Sequence, residues 1–297
     1  MSKYYNFAIV ASFMALWGDS FMSQSIQSSL GFAMIFTFGI LHGANDLMLI
    51  QKIDQRKTSK YPKVLFYYLV LVSAGVSVFY IFPKLALSFF VIVSGYHFGE
   101  QHWVRKIGLT PDWLKFLFQL FYGLHVLFLI FIFNLQEVQH IIAAIISGQV
   151  PTVLFIYGLI ITSGLMLISG IVVASIDRNF RFLVIRELFY LLVFSIIFKT
   201  ASLIWGFALY FILWHSIPSM LDQIAFLYGK FDYRHAKLYV TKSFPYWIIS
   251  ILGIVTVYGL FKDQVIFDAL FFAFLASITF PHVFVILKMF GKKNSPG

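Results

Sequence analysis

The chain contains no cysteine. That excludes disulfides, zinc ribbons and thiolate-held iron–sulfur clusters, and leaves His, carboxylate and backbone oxygen as the only protein ligands for a metal. Charge is also scarce, at 11% of 297 residues, where a soluble domain carries about a quarter. Acidic residues are scarcer still, with 12 Asp and Glu against 22 Lys and Arg. Prolines number only 8, so long helices are rarely interrupted.

What is abundant is apolar: 60% of residues are hydrophobic and the mean hydropathy is +0.87. Runs of roughly 17 to 25 apolar residues are the length of a membrane-crossing helix. The sequence predicts about ten of them: Tyr5 to Ser20, Leu30 to Ile50, Val64 to Phe82, Leu85 to Trp103, Trp113 to Phe133, Thr152 to Ser175, Phe182 to Phe198, Ala201 to Leu221, Phe244 to Phe261 and Val265 to Met289. Val138 to Ile146 is too short to cross and reads as an interfacial or re-entrant piece. The expected architecture is all-α, a polytopic membrane helical bundle forming a single integral membrane domain over residues 1–297. The first apolar run lacks a small-residue cleavage site and is expected to be a retained helix.

The net charge of +10 invites a nucleic-acid reading, but the basic residues sit in short loops beside apolar runs, which argues for no nucleic acid. With the N-terminus inside, every Lys and Arg except Lys84, Lys199 and Lys262 falls on the cytoplasmic side of the ten-helix arrangement. Both termini are therefore expected in the cytoplasm, by the excess of Lys and Arg in inner loops.

Four of the histidines recur in a similar setting within apolar helices, in Leu41-His42-Gly43-Ala44-Asn45-Asp46, Gly95-Tyr96-His97-Phe98-Gly99-Glu100, Trp214-His215-Ser216 and Pro281-His282. An ionisable group in hydrocarbon costs roughly 2.5 to 3.5 kcal/mol on insertion scales, so such residues usually carry a function. In the ten-helix arrangement His42, His97, His215 and His282 share one depth near the cytoplasmic side, while His102 lies at the interface and His125, His140 and His235 lie elsewhere. One histidine in an apolar helix is usually a hydrogen-bonded structural residue; four at one level predict a shared metal. Neutral imidazole suits iron, copper, zinc and nickel, and a ligating ring usually donates its second N–H to a carboxylate or carbonyl. Asp46 follows His42 by four residues and Glu100 follows His97 by three, so each carboxylate is expected on the face of its own histidine. Tyr96, beside His97, is a candidate for polarising a reacting group, with packing its commoner role.

Di-iron desaturases need several close His boxes, and the chain offers only His97 and His102. Paired haems would lie at different depths. A mononuclear four-His iron site fits the count and charge best. The competing classes are a proton- or ion-coupled transporter using intramembrane His, Asp and Glu, against which no internal repeat is found, and a haem-binding membrane protein.

His42-Gly43-Ala44-Asn45-Asp46, His97-Phe98-Gly99-Glu100, Trp214-His215 and Pro281-His282, in that order, resemble the Brp/Blh family of membrane β-carotene 15,15′-dioxygenases, which supply retinal to microbial rhodopsins. The resemblance implies O2-dependent central cleavage of β-carotene or a related carotenoid at Fe(2+), in a bacterial inner membrane. It implies His42, His97, His215 and His282 as metal ligands, with Asp46, Glu100 and Tyr96 supporting the chemistry. Two positions depart from the pattern: Ser219 stands where a second histidine often follows Trp-His, and His102 stands where an Asp is common. If the family's fourth ligand is that second histidine, then His282 or His102 replaces it here, or the iron is held by three.

Overall fold

A computed structural model describes residues 2–54, 61–108, 110–260 and 264–293. In chain order the helices are α1 (Ser2–Asp19), α2 (Gln24–Met34), α3 (Ile40–Gly43), α4 (Asp46–Ile53), α5 (Tyr61–Ile81), α6 (Pro83–Trp103) and α7 (Asp112–Phe133). They continue with α8 (Leu135–Ile146), α9 (Thr152–Ile176), α10 (Arg178–Thr200), α11 (Leu203–Tyr210), α12 (Ile217–Tyr228), α13 (Tyr233–Leu260) and α14 (Gln264–Lys293). Two π-helical turns, Ile35–Gly39 and Phe211–Ser216, join α2 to α3 and α11 to α12. The described residues contain no strand. In a bilayer a helix satisfies its own backbone polar groups, which is why so apolar a chain takes this form.

Seven helical segments among the described residues are long and apolar enough to cross a membrane: Gln24–Ile53, Lys63–Ile81, Asp112–Phe133, Thr152–Ile176, Leu203–Tyr228, Tyr233–Thr256 and Ala269–Gly291. The expected count of about ten also included α1, α6 and α10. These form as helices but are less apolar: α6 ends in the polar run from Ser94 to His102, and α10 carries Arg178, Arg181, Arg186 and Glu187. Of the basic residues used for topology, Arg56, Lys57, Lys60 and Lys262 lie outside the described residues, as does Phe261 at the end of one predicted helix.

The chain divides into two compact units: Met1–Ile35, Val91–His140 and Gln149–Ser216 form the first, and Phe36–Phe90, Ile141–Gly148 and Ile217–Gly297 the second. In the first, α11 and the π turn after it are buried at every residue from Leu203 to Ser216, as expected of a segment apolar all round. They pack against α2, α10 and α7, while α7 lies along α9. Caps fix the helix starts. Glu137 accepts the Leu203 N–H at 3.3 Å, putting negative charge at the N-terminus of α11. Asp177 accepts the N–H groups of Asn179 and Phe180 at the start of α10 and that of Gly108 at 2.6 Å.

Helices α6 and α7 meet through glycine. A Cβ on Gly99 would fall on the Gln119 carbonyl, and one on Gly123 would fall on the Gly95 carbonyl. Neither neighbour is a flexible side chain, so the backbones themselves must part. Gly99→Ala is expected to cost about 1–3 kcal/mol as an overpacking defect, read as a lower midpoint of thermal unfolding in detergent. Gly164→Ala, whose Cβ meets nothing, should leave the midpoint unchanged.

In the second unit α14 packs against α5 and α4, and α13 against α3 and α12. Pro245 and Pro281 lie inside α13 and α14, and both helices run through them. Ahead of α13, Asp232 accepts the His235 N–H at 2.9 Å, which holds its carboxyl below the usual carboxylate range.

Candidate metal centre

In the second unit His42 and His282 meet edge to face, with ring centroids 4.4 Å apart and both side chains buried. The chain reaches this arrangement through a local break. Ala44 and Asn45 form a turn after α3, with Asn45 at φ −93° and ψ 4°, and Asp46 opens a new helix. The spacing argument that attached Asp46 to His42 assumes an unbroken helix. Across the break, Asp46 Oδ1 instead reaches Nδ1 of His282 at 2.8 Å, 236 positions away in sequence, while Oδ2 accepts the Tyr68 hydroxyl at 2.9 Å. A carboxylate on Nδ1 makes that nitrogen the protonated one, so Nε2 is the atom through which His282 would bind a metal.

His42 has a partner that sequence reasoning missed. The Gln223 carboxamide lies 3.1 Å from its Nδ1, and the Tyr239 hydroxyl lies 2.7 Å from the other end of that amide. No local motif marks Gln223, whose contact with His42 spans 181 positions.

In the first unit His97 on α6 and His215 form a second buried pair, with ring centroids 4.7 Å apart at 77°. His215 sits in the π turn Phe211–Ser216, and its ring stacks on Phe211 and meets Phe98 edge-on. Rare π turns recur at functional sites because the wide turn rotates the side chains that follow it. The other π turn, Ile35–Gly39, ends three residues before His42. Glu100 Oε2 lies 4.0 Å from His97 Nδ1, an ion-pair distance too long for a hydrogen bond. Tyr96, one residue before His97 and so about 100° around the helix, is half-buried against Phe116, with ring centroids 4.8 Å apart.

His102 is engaged elsewhere in the first unit. Its Nε2 lies 2.6 Å from Glu187 Oε2, Lys106 Nζ lies 2.9 Å from Glu187 Oε1, and its ring stacks on Tyr122. The Lys106 ammonium stands 4.7 Å from the centre of the Tyr5 ring. Of the other histidines, His125 bonds Ser163 at 2.9 Å and His235 pairs with Asp232 at 3.1 Å. Ser219, at the position that departs from the Trp-His pattern, lies 3.4 Å from the Gln223 amide.

Fold and site together define a helical membrane protein with two buried pairs of imidazoles, side chains of a kind that ligates metals. Comparison with known families makes this specific. The family model described as beta-carotene 15,15'-dioxygenase matches residues 33–290, and the chain belongs to that family. No curated protein and no solved structure matches it.

Proposed function

We propose that this chain is a membrane dioxygenase that splits the central double bond of β-carotene, or of a related carotenoid, with O2 to give retinal. The observation that carries this reading is the family match over residues 33–290, inside which each compact unit holds one buried pair of imidazoles. The donor set fits ferrous iron: four neutral nitrogen ligands, His42, His97, His215 and His282, with no thiolate anywhere in the chain. When bound, such an iron would supply the activation of O2.

The protein's own part is to orient and to keep dry. Asp46 holds the proton on His282 Nδ1 and so leaves Nε2 as the nitrogen that would face a metal. Glu100, buried with its Oε2 4.0 Å from His97 Nδ1, would be the carboxyl group that orients that ring in the first unit. Phe98 and Phe211 press on the His215 ring and exclude water from that side. Tyr96, next to His97 in the chain, would polarise a reacting group. The substrate is insoluble in water, so it enters from the lipid between helices. The protein then sits in a bacterial inner membrane with both termini in the cytoplasm, and retinal passes to a rhodopsin.

Two measurements test this. Purified protein is expected to hold about one iron per chain without a haem Soret band. Bacteria that make β-carotene should lose their orange colour and accumulate retinal when they express it. A Soret band would favour a haem protein, absence of any metal would favour a transporter, and cells that stay orange despite confirmed membrane expression would refute the activity.

A further inference from the structure

We propose that Gln223 is a positioning residue for His42: its carboxamide oxygen accepts the Nδ1 proton of that ring and so turns Nε2 toward the metal. This rests on the four-imidazole reading given above and adds to it the device that sets one ring's tautomer. Gln223, His42 and Tyr239 are all buried, with relative exposures of 0, 3 and 1%. As placed, the amide NH2 nitrogen lies 3.1 Å from His42 Nδ1 and donates to the His42 carbonyl oxygen at 3.3 Å, a bond given up when the carboxamide turns over. The Tyr239 hydroxyl lies 2.7 Å from the other end of the amide and 3.4 Å from that same carbonyl.

A carboxamide turned by 180° fills the same space, so its orientation is decided by what its neighbours require. With the NH2 end on Nδ1, the neutral ring would carry its proton on Nε2 and could not ligate through that atom. The Nδ1 side is closed to a metal by Gln223 itself. A metal on His42 therefore requires an Nδ1–H donor and the amide oxygen as its acceptor.

Tyr239 completes the arrangement. The amide NH2 donates to the tyrosine oxygen, and the tyrosine O–H donates to the His42 carbonyl, so a closed loop of three hydrogen bonds begins and ends on His42. Asn45, which follows the turn after His42, reaches the Tyr239 carbonyl at 3.5 Å and ties the same helix α13 to that turn. The two rings of the second unit thus receive different partners, a carboxylate on His282 and a neutral amide on His42. His42 is the less basic ligand of the two.

The test uses the full chain in detergent, titrated without oxygen with Co(II), whose visible absorption reports the imidazole ligand set. Gln223→Met keeps the volume and removes the acceptor, and is expected to weaken Co(II) binding tenfold to a hundredfold. Gln223→Glu is expected to stay at the wild-type level, since a carboxylate accepts from both His42 Nδ1–H and Tyr239 O–H. Tyr239→Phe, which loosens the amide without removing it, should fall between them. If Gln223→Glu loses as much affinity as Gln223→Met, or if all three bind like the wild type, the inference is overturned while the site stands. Wild-type protein that takes up no Co(II) would overturn the four-imidazole site and this inference with it.

Discussion

Replacing His42, His97, His215 or His282 singly by alanine is expected to leave β-carotene-producing cells orange, with iron content and retinal yield each reduced more than a hundredfold. The magnitude follows from a lower bound: losing a group that merely orients a ligand costs 10- to 100-fold in metal affinity or activity, and losing the ligand must cost more. Neutral imidazoles hold ferrous iron less firmly than thiolates or carboxylates, so each of the four proposed ligands is expected to be needed. Within each unit the two rings are already neighbours, at 4.4 Å for His42 and His282 and 4.7 Å for His97 and His215. An ion held by one ring therefore meets the second at high effective concentration, and deleting either ring removes that advantage. The remaining histidines supply the contrast. His125→Ala loses a bond to Ser163, His235→Ala loses a surface pair with Asp232 and a stack on Tyr228, and both should bleach cells normally. Full iron occupancy in any one of the four ligand variants would remove that residue from the set.

The membrane class and most helices were legible because hydropathy over a bilayer's thickness is a strong, local signal. Predicted Trp113 to Phe133 and Thr152 to Ser175 agree within one residue with α7 and α9. The breaks inside predicted helices were not legible. The run Leu30 to Ile50 reads as one helix, yet it contains a π turn and the Ala44–Asn45 interruption, neither marked by proline. That interruption sends Asp46 to His282, a contact that helix periodicity has no means to foresee. The histidines themselves were conspicuous because polar groups are expensive in an apolar run. Gln223 and Tyr239 were not, since a Gln and a Tyr near a helix end are common and only tertiary contact gives them meaning. From sequence His102 reads as a possible ligand at the interface; its contact with Glu187, 85 positions away, has no sequence signal.

That buried cluster carries the largest expected effect on stability. Glu187→Leu should destabilise the protein by about 3–5 kcal/mol, because it leaves the Lys106 ammonium buried without its counter-charge. Lys106 Nζ is 2.9 Å from Glu187 Oε1, both side chains are largely shielded, and the nearest other groups are His102 and the faces of Tyr5 and Trp103. Cation–π contact of this kind is worth about 2 kcal/mol or more when desolvated, which offsets part of the loss but does not replace the carboxylate. Arg186, 3.8 Å from the same carboxylate, is 42% exposed and turns to solvent once Glu187 is gone, so it adds little to the loss. The double variant Glu187→Leu with Lys106→Met should regain most of the stability, since a buried ion pair replaced by apolar residues of similar volume is often neutral or better. Thermal unfolding in detergent measures both. The double variant also separates structure from chemistry: His102 lies five residues beyond His97 on α6, so if the cluster only anchors that helix end, restored stability should restore iron binding at His97 as well. A double variant that unfolds like the wild type yet binds no iron would instead give the buried charges a direct part in the metal site.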